Sequence, residues 1–357
     1  MSFKLSNNTL LILLINLLFF KIVVFLMVKE NLLTVSFGGG NDSEYYHKYA
    51  IGLVDDAVNI WATLLRQLNN ISLYSRNIIS FYLFLLNIIF IPILFVKIVG
   101  LNFYTQQKMC FYAIIVCIFY PSLFYYTFDI YRDVFMVFIF LFSCLFVKKF
   151  IVNKNISIKF IYFILLLICC YFLYKMRPYL GFSFFISLFI CEIKLNKIRI
   201  FFILCLYMII LFIINYFNGF HSLLSYRSLF IEGESGSFIS LDFSSNMFLI
   251  NYILSIFYQL FGLYIFDLKS LFVFFSESIL FIYMFLYVIF NIKYADKFVA
   301  FLLKFFVIYA SIWAIANANL GTAIRLRMFN YFSIYLCYFY ILYVKSKKAN
   351  INRCNSL

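Results

Sequence analysis

Charge is scarce in this chain of 357 residues, with Asp, Glu, Lys and Arg together making up 12%. Soluble domains carry about 25%, so a water-soluble enzyme is excluded. Proline and glycine are thin as well, at 3 and 11 residues, which excludes a disordered Pro/Gly-rich tail. The chain also lacks the alternating ten-residue segments of a membrane β-barrel. No Gly-rich nucleotide loop, metal-ligand motif or internal repeat is present, so neither a cofactor nor a metal is expected. None of the 9 cysteines falls in the long loops, so no disulfide framework is expected, and adjacent Cys169 and Cys170 read as packing residues.

What is there is apolar mass. Hydrophobic residues make up 66%, with 52 Phe and 30 Tyr, and the mean hydropathy is +1.00. A membrane-crossing helix needs about 20 mostly apolar residues, so this length allows roughly ten crossings. The expected fold is all-α: a polytopic transmembrane helical bundle forming a single domain over residues 1–357, with about 10 spans plus one re-entrant or interfacial segment. Apolar runs fall at 9–28, 77–98, 110–128, 134–147, 159–175, 180–193, 199–215, 247–266, 270–290, 298–316 and 328–343. The first is too long for a signal-peptide core and lacks a small-residue cleavage site, so it reads as an uncleaved span.

The formal charge of +15 would point to nucleic acid in a soluble protein; here it is a matter of sides, and no nucleic-acid partner is expected. Lys148, Lys149, Lys154 and Lys159 form one basic connection, and Lys194, Lys197 and Arg199 another. The positive-inside rule puts both in the cytoplasm, and counting back places the amino terminus there too. Counting forward, the tail with Lys345, Lys347, Lys348 and Arg353 returns to the cytoplasm only if 247–266 dips in and returns or lies along the interface. Lys21 and Lys304, inside runs, read as snorkelling. Two long connections then lie outside, 29–76 and 216–246. The first carries Asp42 and His47 and an amphipathic stretch, 49–68, expected to lie as one interfacial helix. The second carries His221, Arg227 and an acidic Gly/Ser-rich turn at 232–236, read as a mobile flap.

Lysine and arginine sort to opposite sides. Arg66, Arg76, Arg132, Arg177, Arg227, Arg325 and Arg327 fall outside, against Arg199 and Arg353 inside. Topology needs only charge, whereas the planar guanidinium fork binds phosphate or carboxylate bidentately, so the outward arginines point to an anionic ligand. Charges at the ends of apolar runs are expensive unless paired or lining a cavity. The alternative is that Arg132 pairs with Asp133 and the others snorkel. Glu277, inside an apolar run, is either functional or a structural partner of an arginine. His47 and His221 are candidate bases because imidazole titrates near neutral pH. Arginines, a base and no nucleotide loop suit sugar transfer from a polyprenyl lipid through phosphate or diphosphate, with the arginines stabilising the departing phosphate.

Three segments carry a resemblance: Pro121-Ser122 through Tyr131-Arg132-Asp133, Met176-Arg177-Pro178-Tyr179-Leu180-Gly181, and Asn319-Leu320-Gly321-Thr322-Ala323-Ile324-Arg325-Leu326-Arg327. They resemble blocks of the bacterial O-antigen and capsule repeat-unit polymerases of the Wzy type. The resemblance implies a multi-pass glycosyltransferase of the bacterial inner membrane that joins undecaprenyl-diphosphate-linked oligosaccharides at the periplasmic face without a metal. A chain-length regulator protein is the implied partner. Arg132, Arg177, Arg227, Arg325 and Arg327 would hold the diphosphates, and the base would come from Asp42, His47, Asp133, His221 or Glu277. The second outer connection is shorter than that family's pattern. Asp42-Ser43-Glu44-Tyr45-Tyr46 instead resembles transferases using polyprenyl-phosphate sugars, in which an acidic residue after the first span is base or metal ligand. A lipid-linked oligosaccharide flippase is the third reading, disfavoured because the charges gather at run ends and not midway.

Overall fold

The computed structural model describes residues 5–34, 40–190, 197–232, 241–243, 247–265 and 267–354. About 80% is helical, and no strand occurs among the described residues. Gly38, Gly39, Lys194, Cys191 and residues 233–236 of the acidic turn lie outside them. The chain divides into two compact units, Met1–Phe182 with Leu342–Leu357, and Ser183–Ile341.

The first unit opens with α1 (Asn7–Lys29), capped by Ser6, whose side chain accepts from the Thr9 N–H. Next come α2 (Gly40–Ala50) and α3 (Ile60–Asn70). The expected single interfacial helix is therefore two. Gly52 takes a left-handed turn, φ 83°, and Asn59 caps a fresh start by accepting from Trp61 and Ala62 N–H. The apolar face of α3 (Trp61, Ala62, Leu65) is buried within the protein. Then follow α4 (Arg76–Leu85), a π-helical turn at Leu86–Phe90, and α5 (Ile91–Val99), which ends on left-handed Gly100. Lys148 Nζ donates to the Ile98 and Val99 carbonyls there, at 2.5 and 3.1 Å. Beyond are α6 (Gln107–Ile118), α7 (Pro121–Tyr125), α8 (Asp133–Val152) and α9 (Ile156–Met176). α10 (Pro178–Phe189) leads into the second unit.

The second unit continues with α11 (Lys197–Tyr216), α12 (His221–Glu232) and α13 (Phe248–Ser255), which runs on as a π turn, Ile256–Leu260. α14 (Leu268–Val273), a π turn at Phe274–Ser278 and α15 (Ile279–Phe290) form one continuous rod. α16 (Lys297–Ala316) and α17 (Leu320–Cys354) as far as Ile341 complete it, the rest of α17 belonging to the first unit.

Among the described residues six helices are long and apolar enough to cross a membrane: Asn7–Lys29, Arg76–Val99, Asp133–Val152, Ile156–Met176, Leu268–Phe290 and Lys297–Ala316. A seventh results if the pair Cys205–Tyr216 and His221–Ser228, bent by 76°, is one span. The expected ten spans are not found, because apolar letters outrun helix length. The run at 110–128 breaks at Pro121, which lacks an N–H and forces Tyr120 into an extended conformation, leaving α6 with only 12 residues. Helices Pro178–Phe189 and Phe248–Leu260 are likewise short. At 1.5 Å per residue such pieces fall well below the ~30 Å of a hydrocarbon core. The run at 328–343 sits in α17 with Tyr331, Tyr335 and Tyr338 fully or nearly buried, so its surroundings are protein.

Lys21 does not snorkel. It is buried, donates to Asn87 Oδ1 at 3.0 Å and lies 4.5 Å from the Phe124 ring centroid. The π turn of Leu86–Phe90 supplies that amide, and the aromatic face takes the charge, which makes burial tolerable. Lys304 Nζ is held by the Ile190 carbonyl.

The α9–α10 corner follows from its letters. Arg177 precedes proline and is extended (φ −156°, ψ 105°), and Pro178 opens α10. Gly181 then lets the two backbones touch, since a Cβ there would lie 2.3 Å from the Tyr174 nitrogen and 2.7 Å from the Cys170 carbonyl oxygen. Gly181→Ala is expected to destabilise the protein by about 1–3 kcal/mol, because the backbone itself must move. Thermal unfolding in detergent checks this, and an unchanged midpoint would contradict the contact.

Candidate functional site

The outward arginines divide into surface staples and buried centres. Arg66 pairs with exposed Asp55 at 3.4 Å and lies over the Tyr49 ring. Arg76 makes a bidentate pair with Asp129, Nε–Oδ1 2.8 Å and Nη2–Oδ2 2.6 Å, and reaches Glu44 at 3.0 Å. This pins the loop between α7 and α8, which Trp61 Nε1 also holds through the Ile130 carbonyl at 2.8 Å and Ser80 Oγ through Thr127 at 2.7 Å. Burial opposes ionisation of Asp129, but the Arg76 hydrogen bonds and the Ile130 N–H outweigh it, so its carboxyl titrates below the ordinary range.

In the first unit the centre is buried Asp133 and Arg177 with half-buried Arg132 beside them. Asp133 stands in the first turn of α8, where the helix dipole favours a carboxylate. Its partner is Arg177, not adjacent Arg132: the Arg177 Nη2–Asp133 Oδ1 distance is 3.5 Å, with side-chain exposures of 4% and 0%. Arg132 Nη1 donates instead to the carbonyl of Met176, the last residue of α9, at 2.8 Å.

In the second unit Glu277 resides in the π turn of α14–α15 and pairs with Arg327 of α17, Nη2–Oε2 3.3 Å, both side chains buried. Of the two readings of Glu277, this geometry matches a partner of an arginine. Arg327 Cζ also lies 5.3 Å from the Tyr331 ring centroid. Tyr331 stacks on Phe281 at 4.0 Å, donates to the Leu260 carbonyl at 2.8 Å and meets Ser278 Oγ at 3.0 Å. Gly262, left-handed at φ 69°, makes room: a Cβ there would lie 2.5 Å from Ser278 Oγ and 2.6 Å from Arg327 Nη1. Arg227 Nη1 donates to the carbonyls of Asn317 and Ile315, the latter at 3.3 Å, at the end of α16. The Asn317 amide donates to Gln259 Oε1 at 2.6 Å, and Gln259 Nε2 returns to the Asn317 carbonyl at 2.9 Å. Arg325 is buried too, but two residues from Arg327 it stands about 200° around the helix.

Of the five candidate bases, Asp133 and Glu277 are thus paired with arginines in these centres. His47 of α2 shares a hydrogen bond with Tyr74 Oη at 2.9 Å and stacks on its ring. Asp42 is half-buried in the first turn of the same helix. His221 is exposed at the start of α12, whereas Arg227 on that helix is buried. Sequence reading missed Gln259, Asn317 and Tyr331, although a lone Gln inside the 247–266 run was a signal. Among the described residues no group of three or more His, Cys, Asp or Glu comes together that could hold a metal.

No family model, no curated protein and no solved structure matches the chain. Fold and composition define the class: an all-helical membrane protein with buried arginine–carboxylate pairs.

Two expectations follow. Glu277→Leu should cost about 3–5 kcal/mol by leaving Arg327 buried without its carboxylate, and adding Arg327→Met should recover most of it, since apolar replacement of a whole buried pair is often neutral. Additive losses in a thermal-unfolding cycle would refute the coupling. The stabilisation from Asp129 is complete above the unfolded aspartate value of about 3.9 and is lost as pH falls through its depressed folded value. Wild type should therefore lose thermal stability below about pH 4 while Asp129→Asn, lower throughout, stays flat there; parallel profiles would exclude it.

Proposed function

We propose that this chain is a glycosyltransferase of the bacterial inner membrane that polymerises undecaprenyl-diphosphate-linked oligosaccharide repeat units into O-antigen or capsular polysaccharide at the periplasmic face. The observation that carries this reading is the pair of buried arginines, Arg177 at the end of α9 and Arg327 in the first turns of α17, each charge-paired to a carboxylate. They lie in two of the three segments that resemble Wzy-type polymerases. Arg325 is the further buried arginine of the third segment.

In the reaction, a hydroxyl of the acceptor oligosaccharide attacks the anomeric carbon of the donor. The bond from that carbon to the diphosphate oxygen breaks, and undecaprenyl diphosphate leaves with the electron pair. Guanidinium groups hold the diphosphates and stabilise the negative charge that grows on the leaving oxygen, with Arg177 the candidate in the first unit and Arg327 the candidate in the second. Asp133 and Glu277, each committed to a guanidinium, orient the arginines. The hydroxyl proton then goes to a base outside these pairs, with His47 and Asp42 the remaining half-buried candidates. In this reading the lysine-rich connections and both termini face the cytoplasm, and Phe248–Leu260 enters the membrane and returns without crossing.

A strain deleted for this gene tests it. Surface glycan with a single repeat unit is expected, and plasmid-borne wild type should restore the ladder of lengths whereas Arg177→Ala or Arg327→Ala should not. Truncated units would favour the polyprenyl-phosphate transferase with Asp42 in the site, trapped lipid-linked units a flippase, and a normal ladder would overturn all three.

A further inference from the structure

We infer that Arg132 and Arg227, which the sequence groups with the diphosphate-binding arginines, are positioning residues that hold the carboxyl ends of α9 and α16. The inference rests on the reading of Arg177 and Arg327 as the ligand arginines. The last four carbonyls of an α-helix have no partner within the helix, and its end carries partial negative charge. In an apolar surrounding no water meets either need.

Arg132 donates to Met176, the final residue of α9. Arg227 donates to Ile315 and Asn317, on either side of Ala316, the final residue of α16. The residue after Met176 is Arg177 itself. After Asn317 the chain turns, capped by Asn319 Oδ1 accepting from the Thr322 N–H at 3.0 Å, into the helix that bears Arg327.

Each unit thus has the same three parts, although the sequence shows no repeat: an arginine on a helix end, a second arginine beyond the break, and a buried carboxylate paired with the second. In the first unit neighbouring residues split the work, with Arg132 holding α9 and Asp133 holding Arg177. In the second the work is divided between α12 and the π turn bearing Glu277. A guanidinium spent on carbonyls is aimed at backbone, and moving it to a phosphate would release the helix end that sets the next arginine's place.

This chain also shows that lysine can do the capping task, because Lys148 holds the end of α5 and Lys304 the Ile190 carbonyl. Lysine lacks the planar fork for a diphosphate. The experiment therefore compares lysine and alanine at both kinds of position. Purified full-length protein in lipid nanodiscs would be titrated with geranylgeranyl diphosphate, well below the unfolding temperature, and its thermal midpoint recorded.

Arg132→Ala and Arg227→Ala should lower the midpoint by about 2–4 °C and weaken binding about tenfold. Arg132→Lys and Arg227→Lys should restore the midpoint and bring binding to within about threefold of wild type, whereas Arg177→Lys and Arg327→Lys should bind about tenfold more weakly. Lysine at 132 and 227 binding as poorly as lysine at 177 and 327 with the midpoint intact would overturn the assignment and make them ligand contacts. Alanine variants that lose stability but bind normally would overturn it in favour of a purely structural role. If wild type fails to bind the diphosphate, the proposed function falls. The capping then stands if lysine rescues the midpoint and falls if it does not.

Discussion

The carbonyls at helix ends dominate the construction of this protein. A backbone made almost wholly of helices in apolar surroundings satisfies its hydrogen bonds internally except at each terminus. Each break therefore creates a demand for donors, and at several of them long cations meet it. Lys148 serves α5, Arg132 serves α9 and Arg227 serves α16, while Lys29 Nζ donates to the Phe128 carbonyl beside the α7–α8 loop. A cation is favoured twice over at such a point, by the hydrogen bond and by the helix dipole. Part of the positive charge is thus tied to where these helices stop.

Once charges have been brought in to hold helix ends, carboxylates become affordable nearby. Asp133 and Glu277 are buried completely, which an isolated carboxylate in an apolar surrounding would not tolerate. Each sits against a guanidinium from beyond a break. Such pairs add little net stability compared with apolar packing, because desolvation offsets most of the attraction. Their retention in a chain so poor in charge is what directs attention to ligand chemistry rather than to folding.

Irregularities of the helices decide which polar groups meet. π turns shift the register so that Asn87, Gln259 and Glu277 face inward from otherwise apolar rods. Gly181 and Gly262 act from the opposite direction, by removing a side chain where backbone or guanidinium must approach. Tyr331 stacks on Phe281 while its hydroxyl donates to the carbonyl of Leu260, the last residue of a π turn.

Composition alone determined that the chain is helical and membrane-bound, since no soluble fold could bury so much Phe, Tyr, Leu and Ile. The Met176–Gly181 corner was legible too, because a residue before proline is extended and proline opens a helix. Span number was not, because hydropathy counts letters while a crossing needs an unbroken rod, and Pro121 and Gly262 end rods inside apolar runs. Nor could sequence pair the charges. Adjacency suggested Arg132 with Asp133, but successive residues at a helix start point in directions about 100° apart, so one reached Met176 and the other Arg177. Which guanidinium holds backbone and which holds a carboxylate depends on where helices from distant parts of the chain end, and only the tertiary structure decided that.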